Sequence, residues 1–345
     1  MTKPTRRQAL AMLGSAAASA LLPATPATAQ SAPNPRRIDV HHHIVPPDYL
    51  ARQRQRVLAV TSNVTALEWT PARSLEQMDK GGIASAIVSI STPRIWFGDV
   101  AEGRSLARMS NEYAAQMVRD YPGRFGFFAA LPLPDQEGSL AEVAYALDRL
   151  KADGIGLFSS YGDKWPGDPI FDPIFRELNR RKAVIYFHPA APACCSNLQP
   201  NVPVSMVELF ADTTRAIASL LVNATFARYP DIRFIFSHAG GTVSLFVDRM
   251  QTFRSSSAAL QKGTPNGVLE ELKRLHYDIA SVVNPRNMSA LLNMAPVSQV
   301  LFGSDYPFVP VPATVTPLDR YGLDPAELEA VNRVNALRLF PRFNP

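Results

Sequence analysis

Eight short apolar runs alternate with amphipathic stretches, and potential metal-binding side chains gather where those runs end. With 345 residues, 46% of them hydrophobic, these observations predict an α/β chain folded as a TIM-like (β/α)8 barrel. The expected strands are 38–43, 84–90, 125–130, 155–158, 183–188, 233–237, 277–280 and 300–302. Helical spacing covers 105–121, 140–151, 170–181, 213–229, 243–253 and 325–339. Gly and Pro punctuate the ends, as at Pro122-Gly123, Asp153-Gly154 and Pro230. No glycine-rich phosphate fingerprint follows the first strand, which argues against a dinucleotide-binding sheet. The connection from Ile44 to Gly82 is expected to run irregularly over the barrel mouth. No repeat interrupts 38–345, which reads as one catalytic domain.

The net charge of +5 invites a nucleic-acid reading. Lys3, Arg6 and Arg7 supply much of the excess, and setting them aside leaves +2, too little for a polyanionic partner. Those residues belong to a segment, 1–29, patterned as an export signal. Thr5-Arg6-Arg7-Gln8-Ala9-Leu10 resembles a twin-arginine motif, followed by an Ala-rich run and Ala27-Thr28-Ala29 as a cleavage site. A linker, 30–37, would follow, and the mature protein is expected in the periplasm or secreted, with no membrane span. Cys194 and Cys195 are adjacent, a spacing suited neither to a disulfide framework nor to a zinc site. They read as loop residues near the site mouth.

The first strand, IDVHHH (38–43), ends in three imidazoles. Side chains two apart share a face of a strand, so alternation separates Ile38, Val40 and His42 from Asp39, His41 and His43. The first set would pack under the helices. The second would face inward, offering His41 and His43 to one cation while His42 stays off it. Three more runs close the same way: VIYFHP (184–189), FIFSHAGG (234–241) and VLFGSDYP (300–307). Five of the six histidines thus end apolar runs. In a barrel these ends meet at one face. His41, His43, His188 and Asp305 suit zinc or manganese with a position left open, and His238 would stand off the metal as an acid/base group.

The set DVHHH, YFHP, FSHAGG and FGSDYP resembles the amidohydrolase superfamily. Within it the chain is most similar to the aminocarboxymuconate-semialdehyde, γ-resorcylate and methylsalicylate decarboxylase branch. The resemblance spans nearly everything after residue 37. It implies His41, His43, His188 and Asp305 as ligands of one metal, His238 as catalytic, and a homodimer. The fourth strand, GIGLF (154–158), has no lysine that could bridge two metals, which favours a mononuclear site. The implied activity is release of carbon dioxide from a small aromatic, hydroxybenzoate-like or unsaturated acid, with Asp305 or a His238–Asp305 pair supplying the proton. The same residues would serve hydrolysis of a lactone, ester or amide. An exported metal-binding protein without turnover is a third reading.

Further candidates follow the strands. Arg94 could grip a substrate carboxylate, Trp96 and Phe97 could wall an aromatic pocket, and Tyr161, in the loop reaching Trp165, could touch substrate or serve as a lid. Asp212 is placed as a helix N-cap, Gly240-Gly241 as a tight turn or a close approach to substrate, and His276 as a structural residue at the far end of its strand.

Overall fold

A computed structural model describes residues 36–61, 63–192, 194–195 and 201–344. The expected export signal lies outside these residues, as does the linker apart from Arg36 and Arg37. Eight strands form: β1 (Arg37–Ile44), β2 (Ile83–Ile90), β3 (Phe125–Ala130), β4 (Gly154–Phe158), β5 (Val184–His188), β6 (Arg233–Phe236), β7 (His276–Asp278) and β8 (Val300–Leu301). They pair in parallel in chain order. Main-chain bonds bring the end of β8 back to β1: Val40 N–H donates to Phe302 O (3.0 Å), Asp305 N–H to His41 O (2.7 Å) and His43 N–H to Tyr306 O (2.7 Å). The eighth run therefore lies beside the first, as barrel closure requires.

Two apolar layers hold the barrel. Ile38, Val40, Ile87, Phe128, Tyr186, Ile235 and Leu301 fill its interior, with Ala336, Phe340 and Phe343 closing the end where the strands begin. The ring of Phe128 stacks on that of Tyr186 at 4.9 Å. The second layer packs strands against helices, for example Val88, Phe127, Ile155, Phe187 and Phe236 with Leu106, Ile174 and Leu220. Strands buried on both faces explain why the sequence shows continuous apolar runs there.

The first strand corrects the alternation argument. Asp39 pairs with Ala86 but His42 with Val88, so three steps on β1 match two on β2. A bulge thus inserts one residue and reverses the parity beyond it. Ile38 and Val40 point into the barrel rather than toward the helices. Asp39 joins His42, whose Nδ1 is 3.0 Å from Asp39 Oδ2 and whose Nε2 is 3.0 Å from Ser74 Oγ. His41 and His43 still face inward, because both follow the extra residue.

The connection from Ile44 to Gly82 is helical rather than irregular: α1 (Pro47–Val60), α2 (Val64–Leu67) and α3 (Pro71–Lys80). Its signals were local. Tyr49, Gln53 and Val57 recur every four residues and are buried. The Thr70 side chain accepts from Arg73 N–H ahead of Pro71 in the first helical position. Next come α4 (Val100–Asp120), α5 (Gln136–Ala144), α6 (Asp172–Arg180) and α7 (Val204–Val222). Helix α7 starts nine residues before the expected 213, which places Asp212 in mid-helix rather than at an N-cap. It also stops early, where Ala224 adopts a left-handed φ of 55°. His276 opens β7 at the opposite end from the histidine cluster, buried, its position as read from sequence.

Candidate metal centre

The strand ends bring His41, His43, His188 and Asp305 together, one donor atom from each lying within 4.8 Å of the others. His41 Nε2 and His43 Nε2 are 3.1 Å apart, and Asp305 Oδ1 is 3.3 and 3.2 Å from them. The rings of His41 and His43 approach that of His188 to 5.2 and 4.7 Å. Gly303 is required for this approach, since a Cβ there would stand 2.8 Å from His41 Cβ. Asp39 then pins the segment: its Oδ1 accepts the N–H groups of His41 and Ser304, each at 3.0 Å, and its Oδ2 accepts the Ser304 hydroxyl at 2.6 Å.

Each imidazole is oriented through Nδ1. That atom of His188 faces Pro189 O at 2.9 Å and that of His238 faces Ala280 O at 2.8 Å. In His43 it faces Ser89 O at 3.3 Å, with the Ser89 hydroxyl at 3.1 Å, and in His41 it faces Asp278 Oδ2 at 3.0 Å. Carbonyl and carboxylate oxygens only accept, so the proton lies on Nδ1 and the Nε2 lone pair is left for a ligand. Lone pairs from two imidazoles 3.1 Å apart, beside a carboxylate, repel unless positive charge lies among them. The donor set therefore fits a divalent cation, and three nitrogens with one oxygen is a composition zinc accepts.

Sequence reasoning passed over Asp278. It is fully buried, and its oxygens take four bonds: His41 Nδ1–H at 3.0 Å, the Tyr186 hydroxyl at 3.1 Å, and the N–H groups of His238 at 3.1 Å and Ala280 at 3.0 Å. The only hint was a carboxylate inside an otherwise apolar strand, Tyr277-Asp278-Ile279-Ala280. Burial opposes charge on Asp278 and Asp305, but the neighbouring His41 outweighs it and holds both below the usual carboxylate range, Asp305 well below. Burial would also lower the His41 imidazole, yet Asp278 and Asp305 overcome this and raise it to about 10. His43, His188 and His238 are pushed down by burial. Until a cation takes its place, a second proton on His41, at Nε2, supplies the positive charge that both carboxylates face, and metal binding would release that proton and free the lone pair.

His188, His238 and Asp305 open on a cavity of about 350 Å³. Leu209, Phe210 and Phe308 give it apolar walls, and Ser91, Ser205 and Ser281 give it hydroxyls. Among the described residues, no lysine or arginine lines it. The four expected substrate contacts lie off this cavity. Arg94 adopts a left-handed φ of 85°, and its guanidinium donates to Ser160 O at 3.3 Å. Trp96 covers α4 at Gly103, and Phe97 lies under the Arg56 guanidinium, 4.0 Å from its ring centroid. Tyr161 is buried against Phe158 and Phe171, its hydroxyl accepting Phe158 N–H at 2.9 Å. Gly241 turns toward α7, where a Cβ would meet Phe210 O at 2.2 Å. Cys194 and Cys195 are free thiols with sulfurs 2.7 Å apart.

The amidohydrolase family profile matches residues 38–342. The chain belongs to this family. Among curated relatives, the decarboxylase yanB of Aspergillus niger is 35% identical, over 89% of this chain and 88% of its own. The 6-methylsalicylic acid decarboxylase of Penicillium expansum is 32% identical, over 89% and 96%. Among solved structures, an amidohydrolase II crystal structure superposes with a TM-score of 0.81 at 28% identity, covering 88% of this chain and 99% of that one. The family match runs from the second residue of β1 through the other seven strands, so every donor at the centre lies within it.

Proposed function

We propose that the protein is a metal-dependent carboxy-lyase that removes carbon dioxide from a small aromatic acid of the hydroxybenzoate type. The observation that carries this reading is the cavity: apolar and hydroxyl-bearing walls, with no cationic side chain among the described residues, opening directly on the donor cluster. An aromatic monocarboxylate fits such walls, and its single carboxylate has no arginine to pair with and must turn to the metal centre. A second carboxylate on the ring would be left buried without a partner. The likeness to a 6-methylsalicylic acid decarboxylase supports the same substrate class.

His41, His43 and His188, through Nε2, and Asp305, through Oδ1, would hold one divalent metal, zinc on the strength of the three imidazoles, with manganese the alternative. Bound there, the metal would supply Lewis-acid polarisation of the acid's carboxylate and ortho oxygen. His41 and His43 are held in the required tautomer by Asp278 and Ser89. His238 faces the cavity with Nδ1 fixed on Ala280 O, so proton exchange at the cavity falls to its Nε2. A proton taken up at His238 Nε2 passes to the ring carbon, the bond from that carbon to the carboxylate breaks with its electron pair left on the ring, and carbon dioxide leaves. Phe210, its ring 5.3 Å from that of His238, and Leu209 keep water from the ring face.

The test is purified, metal-loaded protein assayed for carbon dioxide release from salicylates, with aryl lactones and esters in parallel. Release from a salicylate is expected. Turnover of lactones alone would overturn the reading in favour of hydrolysis, and no turnover of either class would leave a metal-binding protein. We further propose export through the twin-arginine motif at Arg6-Arg7 and assembly as a homodimer. Exposed Met206, Val207, Leu245 and Phe246 on α7 and after β6 support the dimer. Among the described residues no helix is long and apolar enough to cross a membrane.

A further inference from the structure

A second buried carboxylate, outside the metal centre, ties two active-site loops to the wall of the cavity. Asp212 is fully buried in the middle of α7. Its Oδ2 accepts the hydroxyls of Ser159 at 2.5 Å and Ser160 at 2.7 Å, and its Oδ1 accepts the Trp165 indole N–H at 2.7 Å. Ser159 extends the connection. Its Oγ accepts Ala190 N–H at 2.7 Å, and its own N–H donates to His188 O at 2.9 Å. An unbroken path thus runs from α7 through the loop after β4 to the backbone on both sides of Pro189.

The same helix also meets the substrate space. Ser205, Leu209 and Phe210 line the cavity, and Leu209 and Phe210 lie within one helical turn of Asp212. Charge compensation comes from Arg215, paired with Asp212 Oδ1 at 3.9 Å but too far to hydrogen-bond, while Arg94 reaches the neighbouring Ser160 O. Its hydrogen bonds, however, all come from three neutral donors. A buried carboxylate is costly, and an apolar residue would fill this space at less cost. What an apolar residue would lose is the simultaneous hold on three segments with fixed hydrogen-bond lengths.

We propose that Asp212 is a positioning residue. It sets the spacing between the cavity wall on α7 and the His188 end of β5, and so fixes where an aromatic acid lies against the donor cluster and His238. This rests on the aromatic-acid reading given above. It also explains Arg94 and Trp165, which brace the same junction rather than touching substrate.

The experiment uses the full-length, metal-loaded protein with Asp212→Asn, an isosteric change. The amide can keep the Trp165 bond, but its –NH2 then faces Ser159 and Ser160, whose hydroxyl hydrogens lose their acceptor. Salicylate binding by calorimetry should weaken about 10–100-fold, and KM should rise with it, the scale of a misplaced reactant. Metal content should stay at the wild-type level. Trp165→Phe removes one donor and should move both quantities the same way by less, and Ser160→Ala in the Asp212→Asn background should add little. Unchanged salicylate affinity and KM in Asp212→Asn, with or without a lower melting temperature, would reduce Asp212 to a stability role. Should that variant not fold, unchanged affinity in both Trp165→Phe and Ser160→Ala would overturn the proposal equally. Wild-type protein that binds salicylate but releases no carbon dioxide would sink the decarboxylase reading alone, while failure to bind salicylate at all would sink both.

Discussion

Asp278→Asn isolates the orientation of His41 from its identity as a donor. Asp278 Oδ1 accepts two main-chain N–H groups, from His238 and Ala280, which cannot reverse their polarity. The amide oxygen of an asparagine must therefore stay on that side. Its –NH2 then replaces Oδ2 and faces His41 Nδ1 and the Tyr186 hydroxyl, now 3.0 and 3.1 Å from a carboxylate oxygen. His41 would respond by moving its proton to Nε2, the atom 3.1 Å from His43 Nε2 and 3.3 Å from Asp305 Oδ1. An N–H would then point where a cation must lie. Restoring the useful tautomer breaks the new bond and sets hydrogens against each other, about 1.4–2.7 kcal/mol, or 10–100-fold in metal affinity. Metal-stripped protein titrated in competition with a chromogenic chelator measures this directly. Tyr186→Phe is the control, because it removes a donor to Asp278 and leaves the His41 bond in place; it should change affinity by less than about threefold. Affinity within twofold of wild type in Asp278→Asn, with the protein folded, would refute the assignment of the His41 tautomer.

His188→Ala removes one of the four converging donors and is expected to leave purified protein without stoichiometric metal by elemental analysis. His238→Asn should retain metal while turnover falls by about 10²–10⁴-fold, and unchanged turnover would end its acid/base role. The remaining prediction concerns pH. Burial pushes the His276 imidazole down to about 4, so between about pH 6.5 and 4 the unfolded chain holds the extra proton and the folded chain does not. Its contribution is complete above about pH 6.5 and is lost as the pH falls, by about 3 kcal/mol on reaching pH 4. Urea unfolding of wild type and His276→Phe across this range should give a stability difference that changes by that amount; a constant difference would refute it.

The donors were legible because of where a barrel puts its chemistry. His188, His238 and Asp305 each end an apolar run, and a strand buried on both faces has no other reason to close on a titratable group. Strand existence followed from the same runs, within a residue or two at most ends. The bulge in β1 was not legible, since an extra residue leaves no mark on the order of side chains, only on their pairing with β2. His41 and His43 still point at one centre because both lie beyond it, although the strict alternation used to place them was interrupted. The start of α7 was missed because its N-cap, Pro203, offers no side-chain acceptor, so the helix is set by packing rather than by a local signal.

Arg94 and Asp278 show the deeper limit, in opposite directions. A charge on a loop after a barrel strand looks poised for substrate, but the Arg94 guanidinium reaches Ser160 O, off the cavity. A carboxylate within a short strand looks incidental, yet Asp278 faces the inner layer and orients the imidazole whose Nε2 lies 3.1 Å from His43 and 3.3 Å from Asp305. Sequence patterns report which residues are near an end of a strand, a one-dimensional fact. Whether a side chain there meets substrate, or holds the side chain that does, depends on the partner across the barrel. For His41 that partner lies 237 positions away. Residues that supply electrons to a cation must converge, and convergence at strand ends is topological. Residues that fix tautomers need only one well-placed oxygen, which many positions can provide, so the supporting carboxylates at 39, 212 and 278 become visible only when the chain is folded.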